Sequence, residues 1–145
     1  MATLYDVPAS KLIEELSKEL KANEMIRPPK WSGFVKTGTD REKQPADKDW
    51  WYTRAASVLR KVHIQGPIGI PTLRRLYGGK GNIGTKPDAQ RRGSGSVIKH
   101  VLVQLEKAGL VEKTKRGRIT TPAGISLLDK TAAKIKKGIP ELEKY

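Results

Sequence analysis

The chain has 145 residues, with 29 Lys or Arg against 15 Asp or Glu, a formal net charge of +14 and a pI near 10.1. That length suits one domain, 1–145, with an adequate core, and that charge calls for a polyanionic partner, nucleic acid before an anionic membrane surface. The absence of cysteine excludes disulfides and thiolate metal sites, no apolar run approaches the ~20 residues of a membrane span, and the first residues lack a signal-peptide pattern, so a cytoplasmic protein without membrane contact is expected.

The first predicted element is an amphipathic helix over Pro8–Asn23. Asp6 stands where a cap belongs, Pro8 suits the first turn, and Leu12, Ile13, Leu16 and Leu20 form the inward stripe. Glu14, Glu15, Glu19 and Glu24 lie on its solvated side among lysines. Met25-Ile26-Arg27-Pro28-Pro29 leaves the helix as an extended segment, because a residue before proline avoids the helical region. A long polar connection follows to Lys48, with Trp31, Phe34 and Val35 expected to pin its first half. Lys36, Arg41, Lys43 and Lys48 give it cations, interleaved with acids. Loops of that length are functional or flexible, so the stretch 28–48 is expected to move without a partner.

Trp50–His63 is the strongest helix and the expected centre of the fold. Trp51, Ala55, Val58, Leu59 and Val62 recur at helical spacing, and Tyr52 and Ala56 widen that face enough for neighbours on several sides. Asp47 or Asp49 can cap it, and Gly66-Pro67 stops it. Trp50, Thr53, Arg54, Ser57, Arg60 and Lys61 make the other face. Arginine carries a planar donor fork that fits phosphate oxygens, and a neighbouring Trp50 offers a surface on which a base stacks for ~1–3 kcal/mol. Trp50, Arg54, Ser57, Arg60 and Lys61 are therefore candidate RNA contacts, with packing against a loop the competing role for Trp50.

Thr72 is expected to cap a short helix in which Leu73, Leu76 and Tyr77 point inward. The stretch from Gly78 to Gly95 holds six glycines and almost nothing to pack. It is expected to move when alone and to order along a phosphate backbone, with Lys80, Lys86, Arg91 and Arg92 as contacts.

A helix is predicted over Ser96–Ala108, started by Ser94 or Ser96 and ended by Gly109, with Val97, Ile98, Val101, Leu102, Leu105 and Ala108 inward. Lys99, His100, Val103 and Lys107 lie outward. Leu110–Thr114 and Arg118–Thr120 read as two strands joined by a turn at Lys115-Arg116-Gly117. Thr121 caps a last helix with Pro122 in its first position and Ile125, Leu128, Ala132 and Ile135 as its stripe. The fold class is therefore mainly α: a winged-helix-like bundle around a central amphipathic helix, with a short β-hairpin wing. Lys113, Lys115, Arg116 and Arg118 on that wing join Lys99 as candidate contacts. Charge supports the middle of the chain: residues 74–118 hold 12 basic and 3 acidic residues, whereas residues 1–73 hold 12 and 9.

Several strings invite other readings. Gly79-Lys80-Gly81-Asn82-Ile83-Gly84 matches G-x-G-x-x-G, but a dinucleotide site needs it between a strand and a helix, and here a short helix precedes and a proline loop follows. His63 and His100 have no cysteine or third ligand near them in sequence. Ser94, Ser96 and Ser126 lack a nucleophile-elbow setting. No cofactor and no enzymatic activity are expected.

The run Trp51-Tyr52-Thr53-Arg54-Ala55-Ala56-Ser57 resembles the core signature of the S-nineteen-e family of archaeal and eukaryotic small-subunit ribosomal proteins. So do Tyr77-Gly78-Gly79, Arg92-Gly93-Ser94, Leu105-Glu106 and Thr121-Pro122-Ala123-Gly124, in order along nearly the whole chain. The resemblance implies a winged-helix-like fold, binding to small-subunit ribosomal RNA in the head of the subunit, and a part in subunit assembly beside neighbouring ribosomal proteins. It implies RNA-facing roles for Arg54, Arg60, Arg92 and Lys99. The family commonly has arginine at position 99, and the lysine here keeps the charge without the fork. The alternative is a DNA-binding winged-helix regulator with Lys99, His100, Val103 and Lys107 in the major groove and Lys115 and Arg116 on the backbone. Such proteins usually dimerise, yet no spare apolar stripe or heptad run exists for a dimer, and a monomer is expected when free.

Overall fold

The computed structural model describes residues 5, 7–33, 49–77, 79–81, 89–91 and 95–138. Five helices and two short antiparallel strand pairs make up these residues. The expected capping role of Asp6, the pinning by Phe34 and Val35, and the cations Lys36, Arg41, Lys43 and Lys48 lie outside them.

Helix α1 runs Ala9–Lys21 and fully buries Leu12, Leu16 and Leu20. Its i, i+4, i+8 stripe packs on α2, Trp50–Gln65, which also touches α4 and α5, introduced below. Trp51, Tyr52, Ala55, Ala56, Val58, Leu59 and Val62 of α2 are all buried. The two alanines matter because small side chains let helices approach along this broad face. Asp49 occupies the position before α2, yet its side chain makes no capping bond. Its carboxylate instead accepts from Lys21 Nζ at 3.0 Å, joining the end of α1 to the start of α2. Trp31, in a short 3-10 turn over Lys30–Gly33, packs edge-on against Trp51 with ring centres 5.8 Å apart.

After α2 the backbone of Ile68 exchanges hydrogen bonds with Arg118, at 3.2 and 2.9 Å. Helix α3, Ile70–Leu76, begins three residues earlier than a cap at Thr72 would set it. Gly69 holds the cap position and Pro71 lies in the first turn, where its missing N–H has no partner to lose. Leu73 is buried as expected, whereas Leu76 is 43% exposed: α3 stops there, and Tyr77 is the residue that turns back onto α2.

The glycine-rich stretch contains a ribbon that its sequence does not announce. Strands β1, Gly79–Gly81, and β2, Ala89–Arg91, pair in the register Gly79↔Arg91, Lys80↔Gln90 and Gly81↔Ala89. Without alternating apolar residues there is no period-2 signal to read.

Helix α4, Gly95–Lys107, packs on α2 and α3 and buries Val97, Ile98, Val101, Leu102 and Leu105. It ends in a Schellman motif: Leu110 N–H donates to the Leu105 carbonyl and Gly109 N–H to that of Glu106, both at 3.0 Å, with Gly109 at φ 79°. Strands β3, Val111–Thr114, and β4, Gly117–Thr120, form the hairpin, and the Ile68 bridge adds a third member beside β4. Gly117 has φ 133°, and a Cβ there would lie 2.7 Å from the Ile68 backbone, so this crossing needs glycine.

Helix α5, Pro122–Gly138, starts as expected: Thr121 Oγ1 accepts from Gly124 N–H at 3.2 Å and donates to the Gly109 carbonyl at 2.6 Å. Its buried line is Gly124, Leu128, Thr131, Ala132 and Ile135. Ile125 was expected inside and is 36% exposed, because the first turn meets the hairpin through Gly124, packed against Leu110 and Thr120, one position round the wheel. The order α2, Ile68 bridge, α3, α4, hairpin is the winged-helix order.

Candidate nucleic-acid interface

The outward side of α2 is built around a residue from another helix. Trp50, Arg54, Ser57 and Lys61 follow at i, i+4, i+7 and i+11, so they form one stripe. Tyr77, at the end of α3, lies against it. The Arg54 guanidinium stands 4.1 Å from the centre of the Tyr77 ring and Lys61 Nζ stands 5.5 Å from it, both within cation–π range. The Tyr77 hydroxyl donates to Ser57 Oγ at 2.6 Å. Burial pushes the Tyr77 phenol above its usual range, against the Ser57 hydrogen bond and the charges of Arg54 and Arg60, which pull it down. The phenol therefore keeps its proton near neutrality.

Arg54, Ser57, Arg60 and Lys61 are half-buried, and Thr53 is the exposed residue of this face. Ser57 is engaged with Tyr77 in the free protein. Arg60 Nε is buried without a hydrogen-bond partner among the described residues. Trp50 is partly buried on the core and packs at 70° against Trp51, with ring centres 5.5 Å apart. Its indole is thus a packing element in the free chain and not a ring standing clear for a base.

A second set of cations lies on α4 and the hairpin. Lys99, His100 and Lys107 are exposed, and Val103 is half-buried. His100 is fixed by Nδ1–H donation to the Ser96 carbonyl at 2.7 Å and by an edge contact with Trp31, centres 5.2 Å apart. Lys113, Lys115 and Arg116 are exposed on the hairpin. Arg118 differs from them: its side chain is 15% exposed and its Nε donates to Glu106 Oε1 at 3.3 Å. It is a strut between β4 and α4. The backbone places Lys80 in β1 and Arg91 in β2, while Lys86 and Arg92 lie outside the described residues.

Two contributors escaped the sequence reading. Tyr77 was expected in the core, and nothing in its local pattern says that two cations of α2 share its ring. Gln104, on the flank of α4, accepts from the Trp51 indole N–H at 2.9 Å and clamps Arg27 through both backbone groups, at 3.3 and 2.7 Å. The two side chains come from separate helices, α2 and α4, and no local pattern in the sequence pairs them. Among the described residues no three His, Asp or Glu side chains gather as metal ligands, and no helix is long and apolar enough to cross a membrane.

These features define a small winged-helix-like protein with exposed and half-buried cations on α2, α4 and the hairpin, besides those on α1, α3 and α5. Residues 3–138 match the family described as Ribosomal protein S19e. The chain is 47% identical to the small ribosomal subunit protein eS19 of Aeropyrum pernix, covering 100% of this chain and 99% of that one. It is 46% identical to the protein of that name from Haloarcula marismortui, with the same coverage, and 44% identical to that of Thermoplasma acidophilum over 97% of this chain and 94% of that one. The chain belongs to the ribosomal protein S19e family. The non-enzymatic reading rests on that membership.

Proposed function

We propose that this protein is a structural constituent of the small ribosomal subunit, that it binds small-subunit ribosomal RNA in the head, and that it supports assembly and maturation of the subunit in the cytoplasm. It is a monomer when free and sits beside other ribosomal proteins when bound. The observation that carries the reading is the α2 stripe, where Arg54, Arg60 and Lys61 gather around Tyr77 on a helix whose other side is the core. Lysines and arginines displace counterions from phosphates and fix docking position. Recognition is of folded RNA shape, because the deep, narrow A-form major groove keeps its base edges from side chains. Full-length similarity to proteins named for the small subunit supports the same reading.

Arg54→Glu tests it. The half-buried side chain projects from the outward stripe, so the variant keeps its helical circular dichroism, while the reversed charge repels phosphate and the protein no longer co-sediments with small subunits. Ala55→Glu is the contrasting control, since a charge at this fully buried position unfolds the domain. A DNA-binding regulator would remain at the top of the gradient even as the wild-type protein.

A further inference from the structure

Tyr77 occupies an unusual place for an aromatic residue at the edge of a core. It caps α3, with its N–H bonded to the Leu73 carbonyl at 3.1 Å, and Leu73 is fully buried. The backbone at position 77 is thus anchored to the centre of the molecule. Its ring is held a second time at the far end, by the hydroxyl bond to Ser57. A ring fixed at both ends cannot swing, and it is this ring that Arg54 and Lys61 both approach. Two like charges repel, and long cationic side chains lose rotamer freedom when ordered. Both effects favour splaying the pair into water. The negative face of an immobile aromatic ring opposes both.

We infer that Tyr77 is a positioning residue for RNA: its anchored ring holds Arg54 and Lys61 as an ordered pair aimed at one stretch of phosphate backbone. The inference rests on the proposed RNA-binding role of the α2 stripe. Its physical content is preorganisation, in which the ordering cost of two flexible cations is met in the free protein and not on binding. The ring also sets direction. Tyr77 lies three residues before Lys80, at most about 11 Å of chain, so the β1–β2 ribbon starts within that reach of the ring. A phosphate strand on Arg54 and Lys61 would run next to that ribbon.

The test compares full-length variants for affinity to a transcript of the complete small-subunit ribosomal RNA, across a salt series. Tyr77→Phe keeps the aromatic face and the backbone anchor but loses the hydroxyl bond to Ser57, and binds more tightly than Tyr77→Met and no more tightly than wild type. Tyr77→Met keeps bulk without an aromatic face; it is expected to weaken binding roughly tenfold, as loss of a partly desolvated cation–π contact does, and to flatten the salt slope by about one phosphate contact. Arg54→Gln is measured alongside. If Arg54→Gln weakens binding and Tyr77→Met does not, the positioning role is overturned while the RNA-binding role of the stripe survives. If Arg54→Gln binds like wild type, the role of the stripe fails and takes this inference with it. Because Tyr77→Met could unfold, the NMR resonance of Arg54 Hε in the intact wild-type protein provides an independent reading. A ring-current shift, retained in Tyr77→Phe, is expected; a shift equal to that of a solvated arginine overturns the proposal.

Discussion

Arg118 donates its Nε to Glu106 at 3.3 Å, so a cation on the wing is spent inside the molecule. Both side chains are less than a third exposed, at 15% and 29%. The backbone of Arg118 also carries both bonds to Ile68. One residue therefore couples β4 to α4 by its side chain and to the segment before α3 by its main chain. Glu106→Gln is expected to lower unfolding free energy by about 1–2 kcal/mol, less than a fully buried pair would cost. RNA affinity should not fall. Urea denaturation and a binding titration on the same sample check both halves.

Gln104 makes three hydrogen bonds at a junction of α4, α2 and the segment after α1. Gln104→Leu fills similar space and removes all three. The Trp51 indole N–H then loses its acceptor in a partly buried setting. A loss of about 1–3 kcal/mol is expected, read by denaturation followed through tryptophan fluorescence.

The hairpin crossing distinguishes two glycines. Gly117→Ala forces a Cβ against the Ile68 backbone at φ 133°, and should cost about 2–4 kcal/mol and detach the Ile68 bridge. Gly109→Ala also places alanine at positive φ, 79°, but in open space, and should cost only about 1 kcal/mol. Thermal melts rank the pair, and amide exchange at Ile68 reports the bridge.

Alkali should act on Tyr77. Burial raises its folded-state pKa above the ordinary value of 10.0, so the folded protein holds this proton more tightly than the unfolded chain does. The corresponding stability is fully present below the unfolded pKa and is lost as pH rises through the folded one. The stability advantage of wild type over Tyr77→Phe should therefore be constant through neutrality and shrink above pH 10. Paired denaturation series across that range measure it.

Much of the fold was readable because its helices are strongly periodic. The buried set of α2 matches the face formed by Trp51, Ala55, Val58, Leu59 and Val62, widened by Tyr52 and Ala56. The Gly109 stop and Thr121 cap of neighbouring elements are equally local chemistry. What escaped is non-local. Leu76 and Ile125 satisfy a helical pattern but face outward, because α3 is short and α5 approaches through Gly124. The β1–β2 ribbon forms by backbone pairing with no side-chain pattern. At the candidate interface, sequence separates charged from apolar faces but cannot distinguish a cation held on a ring, such as Arg54, from one paired with an acid, such as Arg118.

The central claim is that cations on this scaffold bind the folded backbone of a large RNA without chemistry. The most direct test is the affinity of the wild-type protein for small-subunit ribosomal RNA as a function of salt. With ~6–10 phosphate contacts, affinity should fall roughly 10³–10⁵-fold between about 50 and 200 mM salt. A nearly flat response across that range would contradict the account.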